Sequence, residues 1–287
     1  MKKTKIEAFE YFNIKSAVDS YTRMYGSPDF KNGYPANKQR LAIIMTLLDK
    51  IKPKNISDAG CGAGMPIIEM LKMGYDVTGY DKSQNMIESA KTNLINNGFD
   101  PDKVCIGNFE DPDHIKDQSF DCITGMGTFY YSREILKTLL NQKKKLRKGG
   151  HLIFSLRNKL FDLVTLNEYT QKFLGELFGI DKYDEKIQKT FFDQFSNINK
   201  VKKKFKNIDE NNVFSLVHNP LTVNDELLKP LGLLFKKTYF YHFHSLPPMF
   251  EHINPEQFRL DSWKMENPTD WKGNFLSSGF IVHCIKP

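Results

Sequence analysis

Residues 54–82, KNISDAGCGAGMPIIEMLKMGYDVTGYDK, constrain the fold more than any other stretch of this 287-residue chain. Asn55 to Ala59 is a short run of β-branched and small residues and reads as a buried parallel strand. Gly60-Cys61-Gly62-Ala63-Gly64 follows, too rich in glycine for a helix interior. Pro66 stands where a helix begins and needs no N–H donor. Ile67, Ile68 and Leu71 make an apolar stripe, and Gly74 suits a left-handed stop. Tyr75 to Tyr80 reads as a second strand ending at Asp81. Strand, glycine turn, helix, strand and acid make half of a doubly wound nucleotide-binding α/β fold.

The glycines let backbone approach a ligand at a helix N-terminus. An acid at the tip of the second strand can accept two ribose hydroxyls. The spacing is not that of a dinucleotide site, because the third glycine of G-x-G-x-x-G would fall on Met65. The pattern is D-x-G-x-G-x-G, with Asp58 ahead of the glycines. A carboxylate there repels a pyrophosphate and suits a ligand with a cationic end, such as the amino group and sulfonium of S-adenosylmethionine.

Asp58 to Gly64, followed by Asp81-Lys82-Ser83-Gln84-Asn85-Met86-Ile87, resembles the class I S-adenosylmethionine-dependent methyltransferases. Their first motif has the form (V/I)LD(L/V)GCGTG, and the second-strand acid is followed by x-S-x-x-M. The resemblance spans residues 38–158, with a weaker echo at the C-terminus. It implies a Rossmann-like, doubly wound sheet of seven strands, the last antiparallel, and S-adenosyl-L-methionine as cofactor. It assigns cofactor contacts to Asp58, Gly60, Cys61, Gly62, Asp81, Lys82 and Met86. After the third strand, Asn108 is expected to read the adenine with Phe109 stacking, and Glu110 is the alternative. After the fourth, Met126 and Gly127 are expected near the sulfonium.

Hydrophobic content of 40% supports a packed core. No apolar run approaches the roughly 18 residues of a membrane span, and Met1-Lys2-Lys3-Thr4-Lys5 has no apolar segment behind it, so a secretory signal is not expected. Cys61, Cys105, Cys122 and Cys284 form no CxxC pair and read as reduced residues of a cytosolic protein. No His/Cys/carboxylate set has ligand spacing, so no metal is expected. The net charge of +7 fits either a polyanionic partner or lysine-rich helices with a phosphorylated small substrate.

Four parts are expected. Residues 1–35 form an N-terminal lid segment, and Tyr21 and Tyr25 either face the methionine portion of the cofactor or dock a terminal helix. Residues 36–159 form the cofactor-binding core, opening with a helix over 37–51 that buries Leu41, Ile44, Met45 and Leu48. In that core, Ser132 is read as capping a helix with Leu136, Leu139 and Leu140 inside, and Leu146–Gly150 as a turn before strand five. Residues 160–218 form an inserted helical cap. Its run Lys200–Lys206 reads as a solvated face or a binding patch. Residues 219–287 return to the core with a helix at Leu227–Leu231 and strands six (Phe235–His244) and seven (Phe275–Ile285). Alternation in strand six puts Tyr239, Tyr241 and Phe243 on one face, and Phe240, His242 and His244 on the other.

Methyl transfer to an alcohol needs a base, and His242, His244 and Tyr131 are the candidates. Tyr130, Tyr21 and Arg157 are candidates for substrate contact, Arg157 through its planar fork or else as part of a surface ion pair. Nucleic-acid methylation is not expected, because Gly125-Met126-Gly127-Thr128 occupies the place of an (N/D)PP(Y/F) box or a Pro-Cys nucleophile, and neither is protein arginine methylation, because the paired-glutamate loop of those enzymes is missing. The expected activity is O-methylation of a small hydroxylated metabolite, specifically a nucleotide-linked sugar for a surface polysaccharide. The rivals are N-methylation of a small amine, a non-catalytic cofactor-binding subunit and, more distantly, an NAD-binding oxidoreductase. Neither the oligomeric state nor the acceptor follows from the sequence.

Overall fold

Glycine-terminated helices alternating with short apolar strands leave one economical arrangement, a parallel sheet with helices on both faces. The computed structural model describes residues 5–25, 30–195 and 213–287. In it β1 (Asn55–Ala59), β2 (Asp76–Asp81), β3 (Val104–Ile106), β4 (Phe120–Gly125) and β5 (Leu146–Asn158) pair in parallel in the order β3-β2-β1-β4-β5. The chain winds outward from β1 to β3, then crosses back to β4. That reversal opens a crevice at the carboxyl ends of β1 and β4.

Three later strands complete the sheet. β8 (Ser277–Ile285) lies between β5 and β7 (Leu234–Phe243), antiparallel to both. A two-residue strand, β6 (Val217–His218), pairs with Arg157 and Asn158, so the sheet has eight strands where seven were expected. The expected turn at Leu146–Gly150 is already part of β5, because Leu146 pairs with Phe120 across a register shift.

One face of the sheet is covered by α3 (Ala36–Ile51), α4 (Met65–Lys72) and α5 (Gln84–Asn96), which bury Leu41, Ile44, Leu48, Ile67, Ile68, Ile87 and Leu94. Ser83 caps α5 by accepting from Met86 N, as its position suggests. The other face is covered by α6 (Ile135–Lys145) and the 223–233 segment. Ser132 lies ahead of α6 and accepts from Glu134 N; it is not the helix cap. The buried face of α6 is Ile135, Thr138, Leu139 and Gln142, so Leu136 and Leu140 point outward, 42% and 40% exposed. The helix expected at Leu227–Leu231 is instead a π turn, Asn224–Leu228, closing in a 3-10 turn, Lys229–Leu231, that contains Pro230.

The alternation of β7 fails at His242, whose φ is +59°. Tyr239 and Tyr241 pack on the α3 side, whereas Phe243 joins Phe240 on the other. A left-handed residue rotates the strand beyond it, and period-two counting does not see that. After β5 come α7 (Glu168–Phe178) and α8 (Glu185–Asp193), the helices expected of the insertion. Leu177 and Phe178 are exposed, and α8 buries no residue. The run Lys200–Lys206 lies outside the described residues. No helix among the described residues is long and apolar enough to cross a membrane.

Candidate functional site

The turn after β1 carries three left-handed glycines, Gly60 (φ +76°), Gly62 (φ +53°) and Gly64 (φ +77°). A side chain at Gly60 would meet Thr128 Cγ2 at 2.3 Å, and one at Gly62 would meet the Tyr21 ring at 2.8 Å. Both glycines line an open hollow in the crevice between β1 and β4. Of the residues singled out from sequence, Tyr21, Gly60, Gly62, Asp81, Lys82, Met86, Phe109, Met126 and Tyr131 line it. Gly127 and Thr128 complete the floor, and Ala8, Phe9 and Phe12 form a wall that sequence reasoning did not assign.

Asp81 is held as an acceptor. Its Oδ2 receives Gly62 N at 3.0 Å and its Oδ1 receives Ser83 N at 2.9 Å, which leaves the remaining lone pairs for hydroxyls. Burial raises its pKa, and backbone N–H groups of Ser83, Gly62 and Lys82 oppose the rise. Phe109 stacks on Phe129 at 6.0 Å and presents its other side to the hollow. The Phe109 carbonyl accepts from Gln142 Nε2, and the Glu110 carbonyl from Asn141 Nδ2, so α6 fixes this loop.

Three expected cofactor contacts stand elsewhere. Asn108 Oδ1 accepts from Glu110 N, so it caps its own turn instead of lining the hollow. The Cys61 side chain is buried and turns into the core against the bare Cα of Gly79. Asp58 is fully buried below the floor. Its Oδ1 accepts from Thr124 Oγ1 at 2.7 Å and its Oδ2 has no partner. Desolvation pushes its pKa up to about 7, against the Thr124 hydrogen bond and the charge of Arg40. It is not among the residues that line the hollow.

Arg40 is the residue that sequence reasoning missed. It is 4% exposed, its Nε has no partner, and no carboxylate lies within ion-pair distance among the described residues. Its Nη2 bonds Asn37 Oδ1 at 3.1 Å and Tyr25 Oη at 3.4 Å, and a side chain at Gly127 would meet its Nη1 at 2.6 Å. The signal was present: Arg40 stands on the apolar face of α3, four residues before Ile44 and eight before Leu48. Tyr21 joins this corner through its hydroxyl, 3.1 Å from that of Tyr25.

The N-terminal segment is stitched over the hollow. Ser83 Oγ donates to Phe12 O, and Asn85 N donates to Asn13 Oδ1. Ile6 bridges Val213, and Arg133 ties the two strands of this cover by binding Glu7 at 2.6 Å and lying 3.9 Å over the Phe214 ring.

At the rim, the Arg157 guanidinium lies 5.1 Å over the Tyr130 ring and within hydrogen-bonding reach of the Tyr130 and Tyr131 hydroxyls. Burial holds the Tyr131 phenol protonated, well above its usual range, so it donates a hydrogen bond and is no base at neutral pH. His242 and His244 do not line the hollow. They end β7 in a cluster of their own: His242 stacks on Tyr34 at 4.5 Å and bonds Ser278 Oγ at 2.8 Å. His244 lies 4.6 Å from Phe161, 4.6 Å from His242 and 5.9 Å from Phe258, with both ring nitrogens buried and unpartnered. Burial lowers the pKa of His242 to about 4 and that of His244 well below the usual value, so both imidazoles are neutral and weakly basic.

These features fit a ligand with a ribose, a flat base, and an amino-acid end that carries both signs of charge. Residues 52–171 match a family model described as a methyltransferase domain. A ubiquinone biosynthesis O-methyltransferase of Vibrio vulnificus is 26% identical over 182 residues, covering 62% of this chain and 72% of that protein. One from Histophilus somni is 29% identical over 167 residues, covering 56% and 69%. In fold, the chain is similar to a magnesium protoporphyrin IX methyltransferase of Synechocystis with bound S-adenosylhomocysteine, with a TM-score of 0.58 over 97% of each chain at 13% identity.

Proposed function

We propose that this chain acts as a class I S-adenosylmethionine-dependent methyltransferase and that it methylates the hydroxyl of a small aromatic acceptor. The observation that carries the acceptor class is the chemistry of the hollow. Aromatic rings of Phe12, Tyr21 and Tyr131 wall it, and among the described residues its lining holds no imidazole and no carboxylate besides Asp81. A phenol ionises near pH 10, as tyrosine does. It can lose its proton to solvent as it attacks, whereas an aliphatic alcohol needs a positioned base. The relatives' name, ubiquinone biosynthesis O-methyltransferase, agrees with a phenolic acceptor.

In this reading Asp81 receives the ribose hydroxyls and Phe109 covers the adenine. Gly60 and Gly62 give the backbone its close approach, and Met126 and Gly127 face the sulfur. Arg40 takes the carboxylate of the methionine end, and the Asp58 field favours its ammonium. When bound, the cofactor supplies a methyl carbon activated by a sulfonium. With the cofactor bound, the hydroxyl oxygen would take that methyl carbon from the sulfur and its proton would leave to water. Phe12, Tyr130 and Tyr131 align the acceptor, and such alignment is worth about 7–11 kcal/mol of barrier.

The nucleotide-linked sugar expected from the positive charge is an aliphatic alcohol and stands second for want of a base. A protonated amine stands lower still, because Arg157 repels it. The test is methyl uptake, followed by mass spectrometry, from S-adenosylmethionine to catechol, UDP-glucose and a primary amine. Methylation of catechol is expected. Uptake by the sugar or the amine alone overturns the phenolic assignment. Tight cofactor binding without turnover on any of the three points to the non-catalytic subunit.

A further inference from the structure

We propose that Arg157 is an anion anchor, and that the acceptor carries a carboxylate or phosphate at the end away from its reacting hydroxyl. The inference rests on the O-methyltransferase reading and adds to it the charge of the substrate.

Arg157 stands at the carboxyl end of β5, where a doubly wound sheet places its ligands. From Leu152 to Asn158 it is the one exposed residue in an otherwise buried run. Its cross-strand neighbour on β8 is Gly279, over whose bare Cα the Tyr241 ring of β7 lies. Three other arginines of the described residues are matched by a carboxylate: Arg133 by Glu7 at 2.6 Å, Arg147 by Asp121 at 2.8 Å, and Arg259 by Glu251 at 2.6 Å. Arg40 and Arg157 are not, and Arg40 is accounted for by the cofactor.

The neighbours of Arg157 are phenols, Tyr130 and Tyr131, which orient a guanidinium without neutralising it. A planar fork held this way is suited to a two-oxygen anion, which it binds through paired N–H donors. Tyr131 borders the cofactor hollow on one side and reaches Arg157 on the other. A hydroxyl at the methyl and an anion at Arg157 are thus bridged by a flat body lying along Tyr131.

The test titrates benzoate and inorganic phosphate, by calorimetry, into the full chain saturated with S-adenosylhomocysteine, so that Arg40 is already engaged. Wild type is expected to bind at least one of the two anions. Arg157→Met should weaken that binding tenfold or more, and Arg157→Lys should recover part of it. Which anion binds better distinguishes a carboxylate from a phosphate acceptor, and the affinity for S-adenosylhomocysteine serves as the folding control. Equal binding by wild type and Arg157→Met, or binding of neither anion by wild type, overturns the proposal. Turnover separates it from the activity itself. Equal KM values for catechol and 3,4-dihydroxybenzoate sink the anchor and leave O-methylation standing. Arg157-dependent anion binding with no methylated phenol supports the anchor and sinks the phenolic reading.

Discussion

Thr124 Oγ1 donates a 2.7 Å hydrogen bond to Asp58 Oδ1, joining the tips of β4 and β1 and leaving Asp58 Oδ2 bare. A buried carboxylate with half its acceptors unmet is costly to ionise unless a cation is brought near. The site therefore holds a negative charge that a cationic ligand can switch on.

The first prediction concerns pH. An unfolded aspartate titrates near 4, while Asp58 in the folded chain titrates at about 7. Between those values the folded state holds the extra proton, so the Asp58 contribution makes the ligand-free protein less stable as pH rises through the window. The ammonium of the cofactor's amino-acid end prefers the ionised form, so affinity for S-adenosylhomocysteine, which keeps that ammonium, should increase from pH 5.5 to 8. Asp58→Asn should bind more weakly and lose that slope. Calorimetry at several pH values checks it, and parallel slopes in both proteins would refute it.

Arg40→Met separates binding from stability. A buried arginine without a counter-ion is a liability to the ligand-free fold. The variant should melt no lower than wild type without ligand, yet bind S-adenosylhomocysteine about tenfold or more weakly, since a charge-assisted hydrogen bond is worth about 1.5–3 kcal/mol. A large drop in the ligand-free melting temperature, with affinity unchanged, would make Arg40 a structural residue.

His244 offers a test with the opposite sign. An unmet buried polar group costs about 1–3 kcal/mol, so His244→Phe should stabilise the chain. Because its folded pKa is depressed, its contribution to stability is lost as pH falls below the usual histidine range. The gain should therefore be larger at pH 5 than at pH 8. Turnover should fall less than tenfold. A loss of about 10²–10⁴-fold would make the histidine pair the base.

The glycine-rich half of the hollow was legible because it is local. Gly60, Gly62, Asp81 and Met86 lie within 27 residues of one another, on a strand–turn–helix–strand unit whose spacing sets their geometry. Asn108 was misplaced because a loop side chain can satisfy its own backbone as readily as a ligand. Phe9 and Phe12 were passed over because an aromatic terminal segment lacks periodicity, and the Asn13–Asn85 contact that seats it spans 72 residues. The histidines were assigned to a face by alternation, and the positive φ at His242 cancels that count.

By itself the sequence determined the doubly wound arrangement, the cofactor and the place of an acid at the end of the second strand. Short-range patterning decides each of these before the chain is packed. Only the tertiary structure decided that Arg40 and Arg157 go unmatched while Arg133, Arg147 and Arg259 are paired, that Asp58 is buried beneath the floor, and that the histidines keep to their own cluster. Those properties depend on which charges and rings meet across the sheet, and no residue carries that information in its own neighbourhood.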